Sequence, residues 1–135
     1  MGIRKNASGE NLALIFDTHA VYWLATNHPR LSKKVTAKLA EEGLGLFISS
    51  VTAWEYSDLI ACNRLPGAPA MTDVLRDYAF TLVDFPSSAW ALAALLPRIH
   101  RDPVDRMLIA HAIAADLTLV TADKAMRRYP VKSLW

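Results

Sequence analysis

Four short apolar runs alternate along this chain with longer stretches of helical periodicity: LALIF (12–16), LGLFIS (44–49), FTLVDF (80–85) and LTLV (117–120). Strand-length runs separated by helices imply βαβ crossovers, and crossovers imply a mainly parallel sheet covered on both faces. The helical stretches carry their own punctuation. Asp17 or Thr18 can cap DTHAVYWLA, Ser32 can cap SKKVTAKLAEEG with Gly43 as its stop, and VTAWEYSDLIACNR runs up to the Pro/Gly loop LPGAPA. MTDVLRDYA, SSAWALAALLP, the stretch from Pro103 and a short DKAMRRY complete the helices, and PVKSLW reads as a final edge strand. The pattern predicts one α/β domain over 12–135, with a central sheet of four to five strands. Residues 1–11 are expected to be a flexible leader.

In open parallel sheets, ligands bind beyond the carboxyl ends of the strands. Asp17 follows the first apolar run directly, and Asp123 closes LTLVTAD after the fourth. Each also suits a helix N-cap. Glu55 shares a helical stripe with Val51, Leu59 and Cys62, and a first-turn position near the helix dipole would also account for it. Asp105 lies one turn back along the face of Leu108, Ile109, Ala112 and Ile113. With Asp102 as N-cap and Pro103 at the first helical position, Asp105 could close a capping box instead. Together, two strand-exit aspartates and two first-turn acids on inward-facing stripes are expected to converge on one rim. Four such carboxylates repel one another, and a hard divalent cation, Mg²⁺ or Mn²⁺, is their natural partner.

Other residue types narrow the field. One cysteine, Cys62, excludes an intramolecular disulfide and a cysteine-rich metal site. None of the four histidines, His19, His28, His100 and His111, pairs with another at zinc-ligand spacing; His19 is the one expected to border the site. Ser49 and Ser50 lack a G-x-S-x-G elbow and read as a strand end and a helix cap. A formal charge of +2 is too small to establish nucleic-acid binding by itself. No run approaches the roughly 18 apolar residues of a membrane span, so a cytoplasmic protein with no membrane contact is expected. Trp54, Tyr56 and Trp90 are expected to anchor interfaces if exposed.

IFDTHAVYWLA, SSVTAWEYSDLI, HRDPVDRMLIAHAI and LTLVTADKAM together resemble the PIN-domain ribonucleases, and among them the VapC-type toxins of bacterial toxin–antitoxin pairs. The resemblance covers nearly the whole chain from Leu12, with DPVDRMLIAHA and VTAD its most specific blocks. It places the family's four acids on Asp17, Glu55, Asp105 and Asp123, which in that family hold Mg²⁺ or Mn²⁺ for RNA cleavage. Asp102 falls on a capping position, and Thr121 on a position that supports the metal shell. The resemblance also implies a homodimer and a VapB-like antitoxin partner. Where such relatives often carry a lysine four residues after the glutamate, this chain has Leu59.

The resulting expectation is a metal-dependent endoribonuclease whose acidic quartet holds the cation that activates water. Arg101, Arg106 and Lys124, which flank the acid blocks, are expected to contact phosphate. A haloacid dehalogenase-type phosphohydrolase would need an acid two residues after Asp17, where His19 stands. A receiver-like phosphoacceptor module would need an acidic neighbour for Asp17, and none is there. The other alternative is a PIN fold that is catalytically silent and serves only for binding.

Overall fold

The computed structural model describes residues 12–135, so the expected leader over 1–11 lies outside the described residues. In chain order the elements are β1 (Ala13–Phe16), α1 (Thr18–Ala25), α2 (Lys33–Leu39), β2 (Gly45–Ser49), α3 (Ser50–Ala61), α4 (Met71–Asp77), β3 (Thr81–Val83), α5 (Ala89–Leu95), α6 (Pro103–Ala114), β4 (Thr118–Val120), a 3₁₀ turn (Met126–Arg128) and β5 (Ser133–Leu134). The five strands form one parallel sheet in the order β3-β2-β1-β4-β5. This is the α/β architecture that the alternating pattern predicts.

All four residues of β1 are buried, and their period-two alternation feeds two cores. Ala13 and Ile15 join Phe47, Leu108, Ile109, Ala112 and Leu119 on the face covered by α5 and α6. Leu14 and Phe16 join Val21, Val35, Ile48, Tyr56, Val74 and Val120 on the face covered by α1 to α4. Helices α1, α3, α4 and α6 hand the chain onward through a left-handed residue just past the C-cap: Asn27, Asn63, Ala79 and Asp116. Reversing there satisfies carbonyls that the helix end would otherwise leave unpaired.

Three local expectations change. Helix α2 stops at Leu39, before the left-handed Gly43, because Ala40, Glu41 and Glu42 are exposed and give the core nothing to hold. The side chains that α3 buries are Thr52 and Tyr56; Val51 and Leu59 are half-buried and Cys62 is exposed. Tyr56 is fully buried, with its hydroxyl donating to the Pro69 carbonyl at 2.7 Å, so it anchors the core and no interface.

Arg106 corrects the expectation of a phosphate contact. Its side chain is buried, and its guanidinium donates to the carbonyls of Pro97 (2.8 Å), Ala93 (2.8 Å) and Leu96 (3.1 Å) and to the Tyr129 hydroxyl (3.2 Å). A five-donor cation thus satisfies the carbonyls at the end of α5, where helix geometry leaves acceptors over and the backbone dipole is negative. Replacing Arg106 by Met should lower stability by about 3 kcal/mol, because several buried acceptors would lose their donor. Urea unfolding checks this; a change within about 0.5 kcal/mol, typical of a surface substitution, would contradict it.

Candidate metal centre

Strand order sets the location. β1 pairs with β2 on one side and β4 on the other, so the chain leaves β1 toward β2 and leaves β4 toward β5, in opposite directions, and a crevice opens between the two carboxyl ends. A cavity of about 290 Å³ occupies that crevice, lined by Asp17, Thr18, His19, Trp23, Glu55, Asp105, Ala122, Asp123 and Met126. The four acids singled out in the sequence all line it. Of the proposed phosphate contacts, Arg101 and Lys124 are exposed but do not line it.

Capping and presentation turn out to be compatible. Asp17 Oδ1 accepts from the Ala20 amide at 2.8 Å and caps α1, while its Oδ2 accepts from the Thr121 hydroxyl. Thr121 Oγ1 in turn accepts from the Asp123 amide at 3.0 Å. Asp123 Oδ1 accepts from the amides of Ala125 (2.8 Å) and Met126 (3.1 Å), and its Oδ2 faces His100. One threonine therefore ties the exits of β1 and β4 together. Glu55 lies in the second turn of α3, beyond the reach of a first-turn dipole explanation, and Oε1 accepts from the Thr18 hydroxyl.

Asp105 does not close a capping box. Asp102 Oδ1 caps α6 by accepting from Val104 (2.9 Å) and Asp105 (3.2 Å), but the Asp102 amide donates to His100 Nδ1 at 3.1 Å. An imidazole whose Nδ1 accepts from an amide carries its proton on Nε2. That Nε2 lies 3.0 Å from Asp105 Oδ2 and 3.1 Å from Asp123 Oδ2. Arg106 steadies the arrangement from behind: Tyr129 Oη accepts from both Arg106 and the His100 amide.

The electrostatics follow from this crowding. Burial pushes Asp105 up to about 7, and the charges of Asp102, Glu55 and Asp17 add to the rise while His100 opposes it. Asp17 is raised to about 6 by burial, against hydrogen bonds from Thr121 and Ala20 and the nearby His19. Asp123 is penalised by burial, yet the Met126 amide, His100 and the Ala125 amide outweigh that and leave it below the usual range. Among the described residues, two groups bring ligand atoms within 4.8 Å of one another: Glu55 with Asp102 and Asp105, and His100 with Asp105 and Asp123. Asp105 belongs to both.

A family model described as "PIN domain" matches residues 14–132. This chain belongs to the PIN domain family. As a PIN domain it is 28% identical, over 119 residues, to Ribonuclease VapC22 of Mycobacterium tuberculosis, a match covering 86% of this chain and 91% of that one. Its fold is similar to a chain of the VapBC2 complex of Rickettsia felis, solved bound to a promoter DNA fragment (18% identity, TM-score 0.67, 90% of this chain and 97% of that one). It is also similar to the PAE2754 protein of Pyrobaculum aerophilum (18% identity, TM-score 0.57, 90% and 82% coverage).

Reasoning from sequence missed His100 and Thr18 in this PIN domain. The signal for His100 was present: it stands two residues before a capping Asp, within reach of the cap amide. In the sequence Thr18 stands out only as an alternative cap.

The raised carboxyls have a measurable consequence. A carboxyl whose pKa is higher folded than unfolded binds more protons in the native state, so stability falls as pH rises from the unfolded value near 4 through the folded one. For Asp17 and Asp105 that window is about pH 4 to 7. His111 works oppositely, since burial holds its pKa below the usual value. In EDTA, wild type should lose roughly 2 kcal/mol relative to Asp105→Asn between pH 4.5 and 7.5, read as several degrees of Tm difference. Parallel Tm-versus-pH curves for the two proteins would contradict it.

Proposed function

We propose that this PIN domain is an endoribonuclease that uses Mg²⁺ or Mn²⁺, held by Asp17, Asp105 and Asp123 with Glu55 bound directly or through water. The observation that carries the proposal is the convergence of four carboxylates at the β1/β4 crevice, with Asp17 and Asp105 carrying raised pKa values. An all-oxygen donor set suits a hard cation that keeps some of its waters. Bound there, such an ion lowers the pKa of a water and stabilises charge developing on a phosphodiester.

The chain's own residues divide the remaining work. The Thr121 hydroxyl and the Ala20 amide fix the Asp17 carboxylate, so its orientation is set by groups outside the reacting centre. Thr18, at the start of α1, fixes Glu55 of α3. His100 holds one oxygen each of Asp105 and Asp123, whose side chains both line the cavity. Arg101 and Lys124, exposed next to the acid-bearing segments, supply cationic surface for RNA.

The likeness to Ribonuclease VapC22 and to a chain of the VapBC2 complex supports a toxin role with a VapB-like antitoxin; a homodimer in the cytoplasm is the further part of this reading. Surfaces for such contacts are available: Trp54, Trp90 and Leu95 are 62%, 68% and 83% exposed, and burying large exposed aromatics dominates interface energetics. No helix of the described residues is long and apolar enough to cross a membrane.

Asp105→Asn separates a metal ligand from a merely structural acid. It keeps the shape but removes one charge from a repelling cluster. In EDTA it should melt at or above the wild-type temperature, while its gain in Tm on adding millimolar Mn²⁺ shrinks. Cleavage of a fluorogenic RNA should fall by orders of magnitude. A variant that cleaves at near wild-type rate would overturn the assignment. For the partners, light scattering should show a dimer at tens of micromolar, and a small co-expressed antitoxin should co-purify; a monomer that co-purifies alone would argue against that part.

A further inference from the structure

From the aromatic groups on α1 we infer a nucleobase-binding corner, formed by His19 and Trp23, that holds one unpaired base beside the phosphate entering the acidic cavity. The inference rests on the endoribonuclease reading for the identity of the ligand, but on separate residues for its geometry. His19 and Trp23 stand four residues apart on α1, so their side chains share one face of the helix. Both line the cavity that contains Asp17, Glu55, Asp105 and Asp123. Their ring centroids lie 5.8 Å apart with the planes tilted by 58°. Two rings at that tilt make an open corner, in which a planar group can stack on one ring and present its edge to the other.

Trp23 is held in place from outside the cavity. His28 stacks on it (5.8 Å between centroids, 29° between planes), Trp135 packs against it at 5.5 Å, and the Arg30 guanidinium lies 5.9 Å from its ring centre. His19 is exposed, and Trp23 keeps part of its surface accessible. A rigid aromatic shelf at the mouth of a cavity walled by carboxylates is a poor place for an anion and a good one for a neutral planar ring. In RNA, that ring is the base attached to the nucleotide whose phosphate lies deeper in the site. Bases inside a duplex already have both faces stacked, so the corner selects single-stranded or looped RNA, in which a base can be splayed out.

The test is binding measured without cleavage. Asp105→Asn protein is titrated, in Mg²⁺, into a 5′-labelled single-stranded hexaribonucleotide and read by fluorescence anisotropy. Comparison ligands are the blunt duplex of the same sequence and hexamers carrying one abasic sugar at successive positions. The single strand should bind more tightly than the duplex. Adding Trp23→Ala or His19→Ala should weaken it by roughly 5- to 100-fold, the range for losing one stacked base. Trp23→Phe should retain much of the affinity, and because His19 is exposed its substitution leaves the fold intact. An abasic sugar at one position should cost a similar factor, and that cost should vanish in the Trp23→Ala background.

Equal affinities for all variants, equal affinities for intact and abasic hexamers, or no detectable binding would overturn the corner. So would a pattern in which the variants lose a co-expressed protein partner but keep RNA affinity. A wild-type protein that shows the stacking pattern yet cleaves nothing in Mn²⁺ would instead remove the nuclease reading and leave the corner standing.

Discussion

The parallel pairing of β1 with β4 is the contact on which everything else in this molecule depends. It puts β1 in the middle of the sheet and creates the crevice at its carboxyl end. It also brings the Asp17 amide to the Val120 carbonyl at 3.1 Å and the Thr121 hydroxyl to the Asp17 carboxylate, between residues 104 apart in the chain. A shift of register by one residue would turn Thr121 to the other face and break the link between the two aspartates. Thr121 is fully buried and serves as donor on one side and acceptor on the other, a double role that valine of similar volume could not fill.

The fold was legible because its signals are local and redundant. Each of the first four strands lies within a short apolar run, and each long helix carries a cap or a stop. The acids were legible because two of them stand immediately after strands and two lie in line with apolar stripes. What stayed hidden depended on partners far away in sequence. Arg106 looks like any cation beside an acidic motif; only the packing of α5 against α6 shows that its donors are spent on backbone carbonyls. His100 shows only its local contact with the cap of α6 until the ends of α6 and β4 bring two carboxylates to its other nitrogen. Tyr56 and Cys62 changed places between surface and core because the buried face of α3 is rotated from the stripe read in the sequence.

The site also sets stability against the gathering of like charge. Burial and like charge raise Asp17 and Asp105, so the polypeptide alone is less stable at neutral pH than it would be with neutral residues there. The surroundings soften that cost for Asp17 with hydrogen bonds from Thr121 and the Ala20 amide and for Asp105 with the His100 imidazole, none of which removes the negative charge. A cation would remove most of it. The arrangement is thus strained electrostatically in a way that favours whatever positive charge enters the crevice.

The 104-residue separation between Asp17 and Thr121 has a consequence in time as well as in space. A ribosome adding about 5–20 residues per second needs roughly 5–20 s to pass from one to the other. Throughout that interval β1 lacks one of its two neighbours, and Asp17 lacks the hydroxyl that orients it. The nascent chain can bury part of the core with β2, α3 and α4, but the acidic centre does not yet exist. The acidic centre is therefore completed late during synthesis, well after most of the scaffold has emerged.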